Sequence, residues 1–205
     1  MTVVGLLLAA GSGKRFGMPK ALVDTGDGPW VLRALRTLDG CDRRLVVLGA
    51  AAQDVAALLP SGVGSVVNPD HEQGMGSSLR VGLTALRQDP SVDAAVVMLV
   101  DLPDVPRTAV DRLLSTAGTA RSVLARAAYQ GNPGHPVLIG RDHFTGVLDA
   151  AGGDRGARDY LARSEVALVE CGDLAGGADQ DEPASVAARA PYADPAAAEP
   201  STRGD

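Results

Sequence analysis

Apolar residues run without polar alternation through 3–9, 44–48 and 94–100. A strand covered by helices on both faces has this signature, because none of its side chains needs to meet water. Weaker strand patterns lie at 63–67, 123–128, 136–139 and 166–170. Between them the spacing becomes helical. Trp30, Val31, Ala34, Leu35 and Leu38 recur at helical intervals, and 53–59, 77–87 and 107–117 behave likewise. Two later helices are expected near 141–150 and 155–163, on either side of the break at Gly152 and Gly153. Strands alternating with helices predict an α/β domain: a three-layer α/β/α sandwich on a mostly parallel, Rossmann-like sheet.

The stretch from Ala187 onward, "AARAPYADPAAAEPSTRGD", is rich in Ala and Pro and has no apolar period. It reads as a disordered tail, 187–205, behind a single folded domain, 1–186. Only six residues are aromatic, so the core must be built from Val, Leu and Ala. The net charge of −6, with no Lys/Arg run longer than two, argues against nucleic acid or an anionic membrane as partner. Two cysteines in no metal or redox spacing fit a reducing cytoplasm. The first apolar run lacks a basic leader and is shorter than a membrane span, so a buried strand is the better reading.

The basic residues carry one anomaly. Lys14 and Lys20 are the only lysines; the other 17 cations are arginines. Both sit in "LLLAAGSGKRFGMPK", just past the first strand, where open α/β sheets bind their ligands. A Walker loop fails here, because Arg15 follows Gly13-Lys14 and Leu8 stands where the first glycine belongs. A dinucleotide fingerprint also fails. Gly11, Gly13 and Gly17 give G-x-G-x-x-x-G, one residue too long, and the next strand ends "VVLGAA" with no acid for a ribose. Lysine supplies compact point charge along a polyphosphate, and glycine lets backbone N–H groups approach it. A second feature is Asp101, just past the apolar run in "VVMLVDLPDVP". A carboxylate there can hold a hard cation such as Mg²⁺. Asp104, followed by Val105-Pro106, suits an N-cap of the next helix. The three histidines have no metal-ligand spacing, and no nucleophile motif suggests covalent catalysis.

"LAAGSGKRFGMPK" resembles the signature loop of the MobA-like nucleotidyltransferases, with Gly11, Arg15, Gly17 and Lys20 in register. "NPDHEQGMGSSLRVGL", residues 68–83, resembles a second segment of the molybdenum cofactor cytidylyltransferases in that family. "GNPGHPVLIG", "GDRGARDYL" and "ADQDEP" resemble later elements, the last most weakly. The resemblance implies the nucleotide-diphospho-sugar transferase type of fold and in-line nucleotidyl transfer without covalent help. It implies Arg15 and Lys20 on the α-phosphate, Lys14 along the outer phosphates, and Asp101 on Mg²⁺ with Asp179 or Asp181 opposite. Leu8, Ala9, Ala10, Gly11, Gly13, Gly74, Met75, Ser77 and Ser78 are implied around the nucleotide, with Ser77 or Ser78 opening a helix and reaching the base. Arg80 is implied as a support for the phosphates or the loop, and His135, Arg155 and Arg158 fall on the acceptor side. Ala10 in place of glycine favours a pyrimidine, hence CTP, with GTP as runner-up. The acceptor implied is molybdopterin, its product serving a molybdenum hydroxylase. A phospho-lactate or enolpyruvate acceptor with GTP, a non-catalytic cofactor-binding accessory protein and a dinucleotide-binding module are the alternatives.

Overall fold

The computed structural model describes residues 1–179. The expected boundary at 186–187 and the residue Asp181 lie outside the described residues. Seven strands form one sheet: β1 (Thr2–Ala9), β2 (Arg43–Leu48), β3 (Gly64–Val67), β4 (Val92–Leu99), β5 (Leu124–Tyr129), β6 (Asn132–Gly140) and β7 (Ala167–Glu170). Their order is β3-β2-β1-β4-β6-β5-β7. All pairs are parallel except β4 with β6 and β5 with β6. The antiparallel strand β6 arises from a tight hairpin. Gln130 and Gly131 both take positive φ, which turns β5 back on itself in two residues.

The helices are α1 (Trp30–Thr37), α2 (Ala52–Leu58), α3 (Met75–Gln88), α4 (Arg107–Ala117), α5 (Phe144–Ala150) and α6 (Arg158–Leu161). Side chains alternate across each strand, and the core divides accordingly. Val3 and Leu7 of β1 pack with Val31, Leu35, Val110 and Leu113 of α1 and α4. Val4, Leu6 and Leu8 pack on the other face with Leu79, Leu83 and Phe144 of α3 and α5. This is the three-layer sandwich expected from the uninterrupted apolar runs.

Two expected helices differ in detail. The segment 141–150 begins as a 3-10 turn, Arg141–His143, before α5. The segment 155–163 is interrupted by Gly156 at φ +53, so only Arg158–Leu161 is α-helical. Arg155 and Arg158 therefore do not share one helix face; Arg155 ends the preceding 3-10 turn, Gly153–Arg155. Asp104 does not cap α4. Pro106 occupies the N-cap position without a side-chain bond, and Asp104 accepts the Gly176 N–H instead. Among the described residues no helix is long and apolar enough to cross a membrane.

The functional consequence of the topology lies between β1 and β4. The chain runs from β1 outward through β2 and β3, then returns to place β4 on the opposite side of β1. Leu8 of β1 registers with Leu99 of β4, and the Val100 N–H donates to the Leu8 carbonyl at 3.2 Å. The two strands therefore end together at the point where the strand order reverses, the position at which ligands bind in open α/β sheets.

Leu138 is fully buried in β6 against the α1/α4 layer. Truncating a leucine of this kind removes its transfer energy and leaves a cavity, about 2–5 kcal/mol in total. Leu138→Ala is expected to lower the unfolding free energy by that amount, read as a lower urea midpoint with the denaturant slope unchanged.

Candidate functional site

The segment after β1 folds back on itself. The N–H groups of Phe16 and Gly17 donate to the Gly13 carbonyl at 2.9 and 2.8 Å. Gly13 takes φ +61, and a Cβ there would collide with the Met18 carbonyl oxygen, so only glycine closes the turn. The segment then drops into a short 3-10 turn, Lys20–Leu22, which carries the Lys20 ammonium inward. Lys20 Nζ donates to Asp101 Oδ2 at 2.8 Å. Both side chains are largely buried, 15% and 20% exposed. Residues 81 apart in sequence thus meet at the paired ends of β1 and β4.

A cleft of about 580 Å³ opens over this pair. Of the residues expected around the nucleotide and the metal, Leu8, Ala10, Gly11, Gly13, Lys14, Arg15, Lys20, Gly74, Met75, Ser78, Asp101 and Asp179 line it. Two expected nucleotide contacts do not. Ala9 points into the α1/α4 core because side chains alternate along β1. Ser77 lies outside the lining and spends its hydroxyl on the carbonyls of Asp70 and Gly74. Neither serine opens α3, which begins at Met75 after a Gly74 N-cap without a side-chain bond. Instead the buried Asn68 amide donates to Ser77 Oγ and Ser78 Oγ at 2.9 and 3.0 Å. Arg80 stands clear of the cleft and donates to the Ala151 carbonyl at 3.4 Å, so it supports a loop and not the phosphates.

Other lining residues had no sequence signal of their own. Phe16 meets Trp30 edge-on at 5.4 Å between centroids, tying the glycine turn to the core. His71, Glu72 and Asp154 also line the cleft. Lys14 Nζ lies 3.7 Å from Glu72 Oε1 across its mouth, with both groups well exposed. Such a pair is weak in water and easily exchanged for a ligand anion.

The donor set fits a hard cation. Asp101 and Asp179 both face the cleft. Among the described residues no group of three or more His, Cys, Asp or Glu side chains could hold a metal by itself. Mg²⁺ typically takes one or two carboxylates and completes its shell with phosphate oxygens and water.

The three expected acceptor-side residues, His135, Arg155 and Arg158, do not line this cleft. They meet in a smaller adjoining cavity that shares Leu8 and Met75 with it. Burial, reinforced by the positive charge of Arg126, pushes the His135 pKa down to about 4. Its imidazole is therefore neutral near pH 7.

With this geometry in place, residues 5–168 match the MobA-like NTP transferase domain. The chain belongs to that nucleotidyltransferase family. It is 38% identical over 194 residues to nicotine blue oxidoreductase of Paenarthrobacter nicotinovorans, covering 87% of this chain and 92% of the relative. It is 30% identical over 152 residues to molybdenum cofactor guanylyltransferase of Rhodobacter capsulatus, covering 72% and 68%. Among solved structures, the manganese complex of Rv0371c from Mycobacterium tuberculosis superposes with a TM-score of 0.66 at 29% identity, covering 83% of this chain and 89% of that one.

The His135 shift has a consequence for stability. Unfolded, the imidazole binds a proton below its ordinary pKa of 6.5; folded, it resists protonation down to about 4. Stability from this group is therefore full above pH 6.5 and falls as the pH drops toward 4. In urea titrations across that window, His135→Gln is expected to lose less stability on acidification than the wild-type chain.

Proposed function

We propose that the protein transfers CMP from CTP to a molybdopterin-type phosphate acceptor with release of pyrophosphate. The observation that carries this reading is the Lys20–Asp101 pair at the β1/β4 switch point, beneath the glycine turn. A buried cation and a carboxylate held together at the floor of an open cleft suit an anion bound with its counter-cation. Lys20 and Arg15 face the α-phosphate and meet the negative charge that grows there as the acceptor oxygen attacks and pyrophosphate departs. Lys14 exchanges Glu72 for the outer phosphates. Asp101, with Asp179, would hold Mg²⁺, which neutralises the triphosphate when bound.

The base preference rests on Ala10. Its methyl group and His71 Cβ crowd Gly49 so closely that a Cβ on Gly49 would lie 2.8 and 2.7 Å from them. This packing holds Ala10 in place, and its methyl group takes room in the cleft that a glycine would leave, which favours a pyrimidine over a purine. Ser78 accepts from Asn68, which leaves its own O–H to donate into the cleft. The guanylyltransferase relative supports GTP as the runner-up. Molybdopterin as acceptor and delivery to a molybdenum hydroxylase follow from the family resemblance.

The relative named an oxidoreductase supports a second reading, redox chemistry with a nicotinamide dinucleotide. Two features weigh against it. The glycine spacing is one residue too long, and no helix receives a pyrophosphate at the end of the glycine segment. A closed turn and a 3-10 turn follow β1, and the first α-helix starts only at Trp30.

Trp30 is the only tryptophan and touches Phe16 of the cleft, so its fluorescence reports on the nucleotide loop. With Mg²⁺ present, CTP is expected to raise the melting temperature and change Trp30 emission more strongly than GTP, ATP or NADH. Stabilisation by GTP alone moves the donor to guanylate, and by NADH alone overturns the reading. Pyrophosphate release on adding the acceptor separates an enzyme from a binding protein. Lys20→Ala is expected to slow that release by about a hundredfold or more, since one donor to a developing charge is worth roughly 3 kcal/mol.

A further inference from the structure

Asp101 and Asp179 reach the cleft by different routes. Asp101 follows β4 directly, near the middle of the sheet. Asp179 comes from the sheet edge, since the last strand, β7, lies three places from β4 in the order β4-β6-β5-β7. Neighbouring strands are about 4.8 Å apart, so the chain must return roughly 14 Å after Glu170. Fully extended, the segment 171–179 could span roughly 30 Å. Its length therefore does not decide where Asp179 stops; contacts along the way do.

The segment first closes a turn, in which the Leu174 and Ala175 N–H groups donate to the Cys171 carbonyl at 2.9 and 3.2 Å. The next N–H, that of Gly176, donates to Asp104 Oδ2 at 3.2 Å. Gly177 follows at φ +66 and lies so close to the Tyr129 ring that a Cβ there would collide with it. That ring is itself fixed, because Tyr129 is buried and its hydroxyl donates to the His135 carbonyl at 2.6 Å. Two residues later the chain presents Asp179 at the cleft.

Asp104 belongs to the same loop as Asp101. Leu102 and Val105 of that loop sink into the α1/α4 layer. Two side chains one turn apart on α1 grip its main chain: Arg33 donates to the Pro103 carbonyl and Thr37 to the Val105 carbonyl, both at 3.0 Å. A carboxylate on such a loop is a firm post, and a charged acceptor holds an N–H more tightly than a neutral one. Asp104 thus stands three residues from one candidate cation ligand and takes hold of main chain three residues from the other.

We propose that Asp104 is a positioning residue for the divalent cation: it fastens the segment bearing Asp179 to the loop bearing Asp101, so that both carboxylates serve one ion. Gly177 against Tyr129 is the second point of attachment. The choice of Asp101 and Asp179 as ligands rests on the reading under which they hold Mg²⁺ for nucleotidyl transfer.

Mn²⁺ is the probe, titrated into the full chain with and without CTP and followed by the paramagnetic resonance of the free ion. Asp104→Ala is expected to weaken Mn²⁺ binding about tenfold, as loss of a partner behind a metal ligand does. Asp104→Asn, which keeps an acceptor oxygen, is expected to recover most of that loss. Asp179→Ala is expected to lose at least as much, and Asp104→Ala added to it nothing further, because both act through one carboxylate. Amide hydrogen exchange at 177–178 is expected to quicken in Asp104→Ala while the β4 amides stay protected. Gly177→Ala, which displaces the segment and leaves the acids in place, carries the same expectation for Mn²⁺ if Asp104→Ala fails to fold. Mn²⁺ affinity unchanged in Asp104→Ala and Gly177→Ala would overturn the proposal. So would exchange at 177–178 as slow as in the wild-type chain, or losses that add in the double variant. Mn²⁺-dependent CTP binding that survives those results leaves the nucleotidyl-transfer reading standing. Mn²⁺ held through Asp104 by a chain that never binds CTP keeps the fastening and loses that reading.

Discussion

The molecule is organised around one contact between opposite charges, Lys20 Nζ to Asp101 Oδ2, made where two parallel strands end side by side. Neither group tolerates such burial well alone. Together they satisfy one another while remaining close enough to the cleft to be drawn apart by a polyanion and its counter-ion. The sheet order brings the two strand ends together, and the Gly13 turn directs the lysine toward the acid. Much of the remaining scaffold supports those two placements.

The fold was legible because its central strands are covered on both sides. Residues such as Leu6, Leu7, Val96 and Val97 must all be apolar, and an unbroken run that short and that rich in Val and Leu suits a buried strand far better than a surface helix. The direction of β6 was not legible. A buried antiparallel strand carries the same residues as a parallel one, and only the two-residue Gln130-Gly131 turn decides between them. Helix ends were also poorly marked. Asp104 looked like a cap by position, but its carboxylate accepts from Gly176, a partner 72 residues away.

The site divided along similar lines. The glycine-lysine loop could be read directly, since its spacing matches a recognisable pattern. Strand alternation removed Ala9 from it, and hydrogen bonding to neighbouring carbonyls removed Ser77. Asn68 appeared as the first letter of a motif, whereas its physical work is to clamp two serine hydroxyls at the start of α3. Arg126, on the wall of the adjoining cavity, carried no signal at all. One arginine in a strand can face solvent, core or cavity, and only the hairpin and its cross-strand partners fix which.

Near the junction of the two chambers, main chain lies directly on main chain. Gly76 in the first turn of α3 packs so tightly on Gly152 that a methyl group on it would come within 2.8 Å of the Gly152 backbone. No intervening side chain remains there to be lengthened or trimmed. The masonry between the two rooms is therefore fixed, and any change of substrate preference has to be made in the upholstery of one room or the other.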